Sequence, residues 1–171
     1  EHLSILLQGK HEIVAVLTQP DRKSGRGKKI SFSAVKEVAL KNNLKVLQPV
    51  SLKGSEIQEN LSNLEPDIVL VVAYGLLVPK SVLDLPELGC INIHASLLPR
   101  WRGASPIESC IAAGDSESGI TMMKMSEGLD EGPILKKFVC DLDEKETLGT
   151  LENKFVGMSS ENLLQFLKDY E

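Results

Sequence analysis

Nine residues, Asp67-Ile-Val-Leu-Val-Val-Ala-Tyr-Gly75, constrain this chain more than any other stretch. From Ile68 to Ala73 every position is apolar, so the run has no polar face to offer water. A strand solvated on one side alternates apolar with polar residues; one without alternation must be covered on both faces. Helices do that covering, and the chain supplies them. Helical spacing is expected over residues 1–9, ending at Gly9, and over 33–42, with Ser33 as N-cap. Further helices are expected over 54–63, 78–85, 105–115, with Pro106 in the first turn, and 147–168. Apolar strands are expected over 11–19, 44–49, 67–75, 89–96, 119–126 and 134–142. The alternation predicts one α/β domain: a mainly parallel, twisted sheet with helices on both faces. The short link around residues 130–132 allows an antiparallel pair at one edge.

Composition narrows the class of protein. No apolar run approaches the ~20 residues of a spanning helix, so no membrane partner is expected. Cys90, Cys110 and Cys140 are odd in number and far apart, which points to reduced thiols and not to a zinc site or a disulfide framework. The net charge of -5 argues against broad nucleic-acid binding, yet five cations crowd into residues 22–29. Most such runs are solvated loops. The run is not a phosphate loop: that pattern requires Gly where Arg22 stands, and Ser or Thr where Lys29 stands. No GxGxxG occurs, so a dinucleotide cofactor has no support.

Ligands of open α/β sheets bind beyond the carboxyl ends of the strands. Asn92 and His94 lie near such an end, two residues apart and therefore on one face. A lone His is most often structural. An amide donor and an imidazole side by side instead suit a site where an oxyanion develops. Asp130, in the glycine-rich Glu127-Gly-Leu-Asp-Glu-Gly132, is the third candidate. Asp115 reads as a plain acidic turn without a partner. No activated nucleophile is expected, because Cys110 falls in a helix and Cys90 is expected to point away from Asn92.

Asn92-Ile-His94, Ser96-Leu-Leu-Pro-Arg-Trp-Arg-Gly103, Pro106-Ile107, Gly128-Leu-Asp130 and Gly132 closely resemble the folate-dependent formyltransferases, over essentially all 171 residues. Residues 18–29, 48–52 and 71–80 resemble the branch of that family acting on initiator tRNA, whose mark is the basic loop. The resemblance implies a Rossmann-like formyltransferase fold and a catalytic trio of Asn92, His94 and Asp130. It implies 10-formyltetrahydrofolate as formyl donor, without a metal. The folate would lie against Tyr74, Gly75, Leu76, Leu77 and Val78 and against Glu127, Gly128 and Leu129. The acceptor would be initiator methionyl-tRNA, met by Arg22, Lys23, Arg26, Lys28 and Lys29 of the loop and by Arg100 and Arg102. A monomer in bacterial cytoplasm, or in an organelle of bacterial origin, is implied.

Residues 1–171 would form the catalytic domain, lacking the family's first strand, which lies mid-sheet, and its barrel-like C-terminal domain. The chain is accordingly expected to be part of a longer protein. Three other readings stay open: formyl transfer to a different amine, hydrolysis of the formylfolate, and a non-catalytic RNA-binding module.

Overall fold

The computed structural model describes residues 1–24 and 29–171. Short elements come first: α1 (His2–Leu6), β1 (Val16–Leu17), the hairpin strands β2 (Arg22–Ser24) and β3 (Lys29–Ser31), α2 (Ala34–Lys41), β4 (Val46–Leu47) and α3 (Ser55–Ser62). Then follow β5 (Val69–Val71), α4 (Lys80–Leu83), β6 (Cys90–His94), α5 (Pro106–Ala113), β7 (Glu117–Lys124), β8 (Ile134–Asp141) and α6 (Leu148–Tyr170). No described helix is long and apolar enough to cross a membrane.

Local chemistry explains the helix ends. The Ser33 side chain accepts from the Lys36 amide and starts α2. Thr147 and Thr150 cap α6 reciprocally. Gly114 closes α5 at φ 68°, while the Gly114 and Asp115 amides donate back to Ile111 and Cys110. That left-handed turn suits glycine. Along α6, Leu151, Phe155, Ser159, Leu163, Phe166 and Leu167 are buried. Their spacing of three and four residues makes one stripe.

The sheet is mixed, not mainly parallel. Its order is β5-β6-β7-β8, and only β5 and β6 run parallel; β6-β7 and β7-β8 are antiparallel. A separate parallel pair joins β1 to β4. The run at 67–75, expected to be the most deeply buried, is strand only from Val69 to Val71, and those residues are half-buried. Two causes are visible. Among the described residues β5 pairs only with β6, and Ala73 (φ 46°) and Gly75 (φ 74°) turn the backbone out of strand geometry. The run at 11–19 likewise contributes only Val16 and Leu17. The deepest strands are β6 and β7.

Three apolar clusters hold these layers. Ile91 and Ile93 of β6 and Ile120 and Met122 of β7 meet Leu151, Phe155, Leu163, Phe166 and Leu167 of α6. Val16 packs with Leu3 of α1 and Ala39 of α2. Leu17 and Leu47 turn the opposite way, toward Leu52, Leu61 and Val82. Helices therefore cover both faces of the β1-β4 pair, as period-two alternation requires.

Gly119 sits where β7 presses on β8. A Cβ there would lie 1.9 Å from the Phe138 carbonyl oxygen, which belongs to the backbone and cannot swing aside. Gly119→Ala is expected to destabilise the fold by about 3 kcal/mol, read as a lowered urea midpoint with an unchanged slope.

Candidate active site

The two faces of β6 do different work. Ile91 and Ile93 enter the core under α6, which leaves Asn92 and His94 on the other side. Asn92 is half-buried, while His94 is only 6% exposed. His94 Nε2 lies 2.9 Å from the Trp101 carbonyl. A carbonyl only accepts, so Nε2 carries the proton and Nδ1 is the nitrogen that faces Asp130. The gap from Nδ1 to Asp130 Oδ2 is 3.7 Å, an ion-pair distance and longer than a hydrogen bond. The same Oδ2 accepts from the Gly103 amide at 2.8 Å. Asp130 itself is held at φ 50°.

His94 and Asp130 thus face each other, and Asn92 shares the strand face with His94. Oxyanion donation by His94 is harder to place. Its Nε2–H is already engaged by Trp101, so Asn92 is the residue whose amide donors suit that task.

The loop after β6 is pinned at several points. Thr121, paired with His94 across the strands and fully buried, donates to the Ser96 carbonyl at 2.6 Å and accepts from the Leu98 amide at 3.1 Å. Ser96 Oγ donates to the Arg100 carbonyl at 2.6 Å. The Leu98-Pro99 peptide is cis, and Trp101 and Gly103 have φ 57° and 96°.

Asp115, read from the sequence as a turn without a partner, is strongly partnered. It accepts from Arg100 Nε at 3.0 Å, Arg100 Nη2 at 2.7 Å and Trp101 Nε1 at 2.7 Å. The Arg100 guanidinium, then the indole N–H, holds the Asp115 carboxyl below the ordinary carboxylate range. A signal was present: a Gly-Asp after a helix, with neighbouring Arg and Trp donors earlier in the chain. Nothing in linear spacing says that they meet.

The cations expected to face RNA divide into three groups. Arg26 and Lys28 lie outside the described residues, as do the side chains of Lys23 and Lys29. Arg22 donates to Gln19 Oε1 at 3.1 Å. Arg100 is held by Asp115 and stacks on Trp101 with 4.2 Å between guanidinium and ring centre, and Arg102 lies 3.5 Å from Glu131.

Below the basic loop, Gln48 donates to Thr18, Gln19 and Asp21, and Lys36 binds both Asp21 and Gln48. Lys36, then Gln48, lowers the Asp21 pKa. Gln19 also donates to the Tyr74 carbonyl at 3.0 Å. This polar cluster ties the loop's base to the segment expected to meet folate, a link that sequence reading did not find.

The residues expected to line a folate site do not all face the same way. Tyr74 and Val78 pack inward with Leu52, Leu61 and Val82. Burial leaves the Tyr74 hydroxyl without a partner among the described residues and raises its pKa. Leu77 and Leu129 are instead 69% and 70% exposed. Among the described residues, no three His, Cys, Asp or Glu side chains cluster as a metal ion would require.

Comparison with known proteins identifies the family. The family model described as "Formyl transferase" matches residues 1–167. A methionyl-tRNA formyltransferase of Pseudomonas fluorescens (strain Pf0-1) is 53% identical over 165 residues, covering 96% of this chain and 52% of the relative. One from Legionella pneumophila (strain Corby) is 52% identical, covering 97% and 53%. The chain therefore spans about half the length of the curated relatives it matches. Among solved structures, a phosphoribosylglycinamide formyltransferase from Bacillus halodurans superposes with a TM-score of 0.79 at 25% identity, covering 96% of this chain and 83% of that one.

Cys90, expected to oppose Asn92, in fact shares its face, since the two are two residues apart on a strand. Burial pushes its thiol up to about 11, and Sγ points at the Val82 and Leu83 carbonyls. Cys110 is also buried, whereas Cys140 is half-buried. Alkylation of the folded protein followed by peptide mass spectrometry is expected to label Cys140 well before Cys90 and Cys110, because burial shuts the reagent away from the latter two sulfurs. The raised pKa also sets a sign. Stability is unaffected by this thiol below its ordinary value of 9.0 and declines as pH rises from there through about 11.

Proposed function

Because the chain belongs to the formyl transferase family, by a match over residues 1–167, we propose that it carries the catalytic centre that moves the formyl group of 10-formyltetrahydrofolate onto the amino group of initiator methionyl-tRNA. The buried His94–Asp130 pair at the end of β6, beside Asn92, is the observation that supports this reading most. The identity with methionyl-tRNA formyltransferases and the five cations of residues 22–29 support the acceptor.

The chemistry follows from the residues. The acceptor amine attacks the formyl carbon, and a new C–N bond forms as the carbonyl oxygen becomes an oxyanion. The Asn92 amide donates to that oxygen; loss of one such donor typically costs about 2.7–4 kcal/mol of barrier. The attacking nitrogen then gives up a proton. Asp130 takes it, with the facing Nδ1 of His94 as the neighbouring proton site, and it passes to N10 of the folate. The bond from the formyl carbon to N10 breaks with that protonation. No enzyme nucleophile is needed, in keeping with the buried, high-pKa thiol of Cys90.

Exposed Leu77 and Leu129 suit contact with the flat donor ring, and the backbone of residues 74–76, freed by Gly75 at φ 74°, suits its polar edge. Arg26, between Gly25 and Gly27, is the cation assigned to the RNA acceptor end. Phosphate contacts made by such cations release counterions and so favour RNA binding.

In the intact protein, turnover of charged initiator tRNA with labelled formylfolate is expected, without hydrolysis of the donor when tRNA is absent. Arg26→Ala should lower kcat/KM for the tRNA and flatten its salt dependence while leaving KM for the folate unchanged. Unaltered tRNA kinetics would remove the acceptor assignment, and donor hydrolysis without tRNA would favour a hydrolase.

A further inference from the structure

Trp101 carries a conformation that bulky residues rarely adopt, with φ 57°. Its carbonyl is nevertheless the group that receives His94 Nε2–H at 2.9 Å. Some other contact must hold the chain in that turn. One end is held by the Ser96 hydroxyl, which donates to the Arg100 carbonyl at 2.6 Å. The other holding point is Asp115. Its Oδ2 accepts from both Arg100 Nε and Trp101 Nε1, its Oδ1 accepts from Arg100 Nη2, and Arg100 lies flat over the indole. A single carboxylate thus grips the side chains on both sides of the Arg100–Trp101 peptide. The Asp115 side chain is 15% exposed, and the Schellman-type turn at Gly114 fixes its own backbone.

We propose that Asp115 is a positioning residue for His94: by clamping Arg100 and Trp101 it keeps the left-handed turn that delivers the Trp101 carbonyl to the imidazole, and so sets which ring nitrogen carries the proton. With Nε2–H engaged, Nδ1 is left as the proton site facing Asp130. Loss of the clamp lets Trp101 relax to an ordinary backbone conformation and frees Nε2. The ring can then turn or take the other tautomer, and the Nδ1-to-Asp130 approach is lost. Asp115 itself touches neither the ring nor Asp130. Arg100 then serves mainly as a structural cation, with its outer guanidinium edge still open to an anionic acceptor. The consequence for turnover rests on the formyl-transfer reading above; the consequence for the tautomer does not.

The test uses the intact protein with 15N-labelled histidine. The His94 ring signals are assigned by their disappearance in His94→Gln. The unaltered protein is expected to show a single, unaveraged ring state with its proton on Nε2. Asp115→Ala should give averaged tautomer signals, and kcat should fall about 10-fold to 100-fold with the folate KM unchanged. Asp115→Asn, which keeps an acceptor for one donor, should restore part of both. A His94 signal identical in Asp115→Ala and the unaltered protein overturns the proposal. A changed tautomer with unchanged turnover would uphold the positioning role and remove His94 from formyl transfer. Should Asp115→Ala not fold, Trp101→Phe removes the indole donor together with part of the ring beneath Arg100, leaves the backbone carbonyl in place, and decides the matter in the same way: an unmoved His94 signal overturns the clamp.

Discussion

The antiparallel register of β6 on β7 sets Asn92 opposite Met123 and His94 opposite Thr121. Since side chains alternate with period two, slippage by one residue would send Asn92 and His94 into the apolar layer under α6 and turn Ile91 and Ile93 toward the site. Burial of those isoleucines with Leu151, Phe155 and Leu163 prevents it. Thr121 then extends the consequence from strand to loop, because its buried hydroxyl holds both the Ser96 carbonyl and the Leu98 amide. The core therefore positions a polar site on the opposite face of the strand. The register irregularity between Met122 and Met123, opposite Asn92, lies where bulges often adjust a strand next to a site.

Much of this was legible in the chain. The helices read from caps and spacing lie where Ser33, Pro106 and Thr147 suggested, and Asn92 with His94 announced a strand with a polar end. What could not be read was the pairing direction. An apolar run predicts burial but not the orientation of its neighbours, so a mixed sheet was taken for a mainly parallel one. For the same reason the run at 67–75 reads as the most deeply buried strand, whereas β5 is half-buried and pairs on one side only among the described residues.

The site was partly legible too. His94 and Asp130 are 36 residues apart in sequence, and only the resemblance joined them before the structure placed them at 3.7 Å. The partners of Asp115, Gln19, Gln48 and Thr121 were not legible in the sequence, for a shared reason. Each acts through polar contacts made across the fold, and a polar residue in a turn or strand has no periodicity to betray its partner. Gln48 and Gln19 connect the foot of the basic loop to the Tyr74 carbonyl. The segments proposed for the two substrates therefore share one hydrogen-bonded base.

The central claim is that His94 and Asp130 act as one proton-handling unit at the end of β6. A double-mutant cycle on the intact protein measures this most directly, with kcat for formyl transfer determined for His94→Ala, Asp130→Ala and the double variant. If the two work as a unit, each single change lowers kcat by about 10²–10⁴ and the double variant falls little further. Multiplicative losses in the double variant, the mark of independent residues, would contradict the claim.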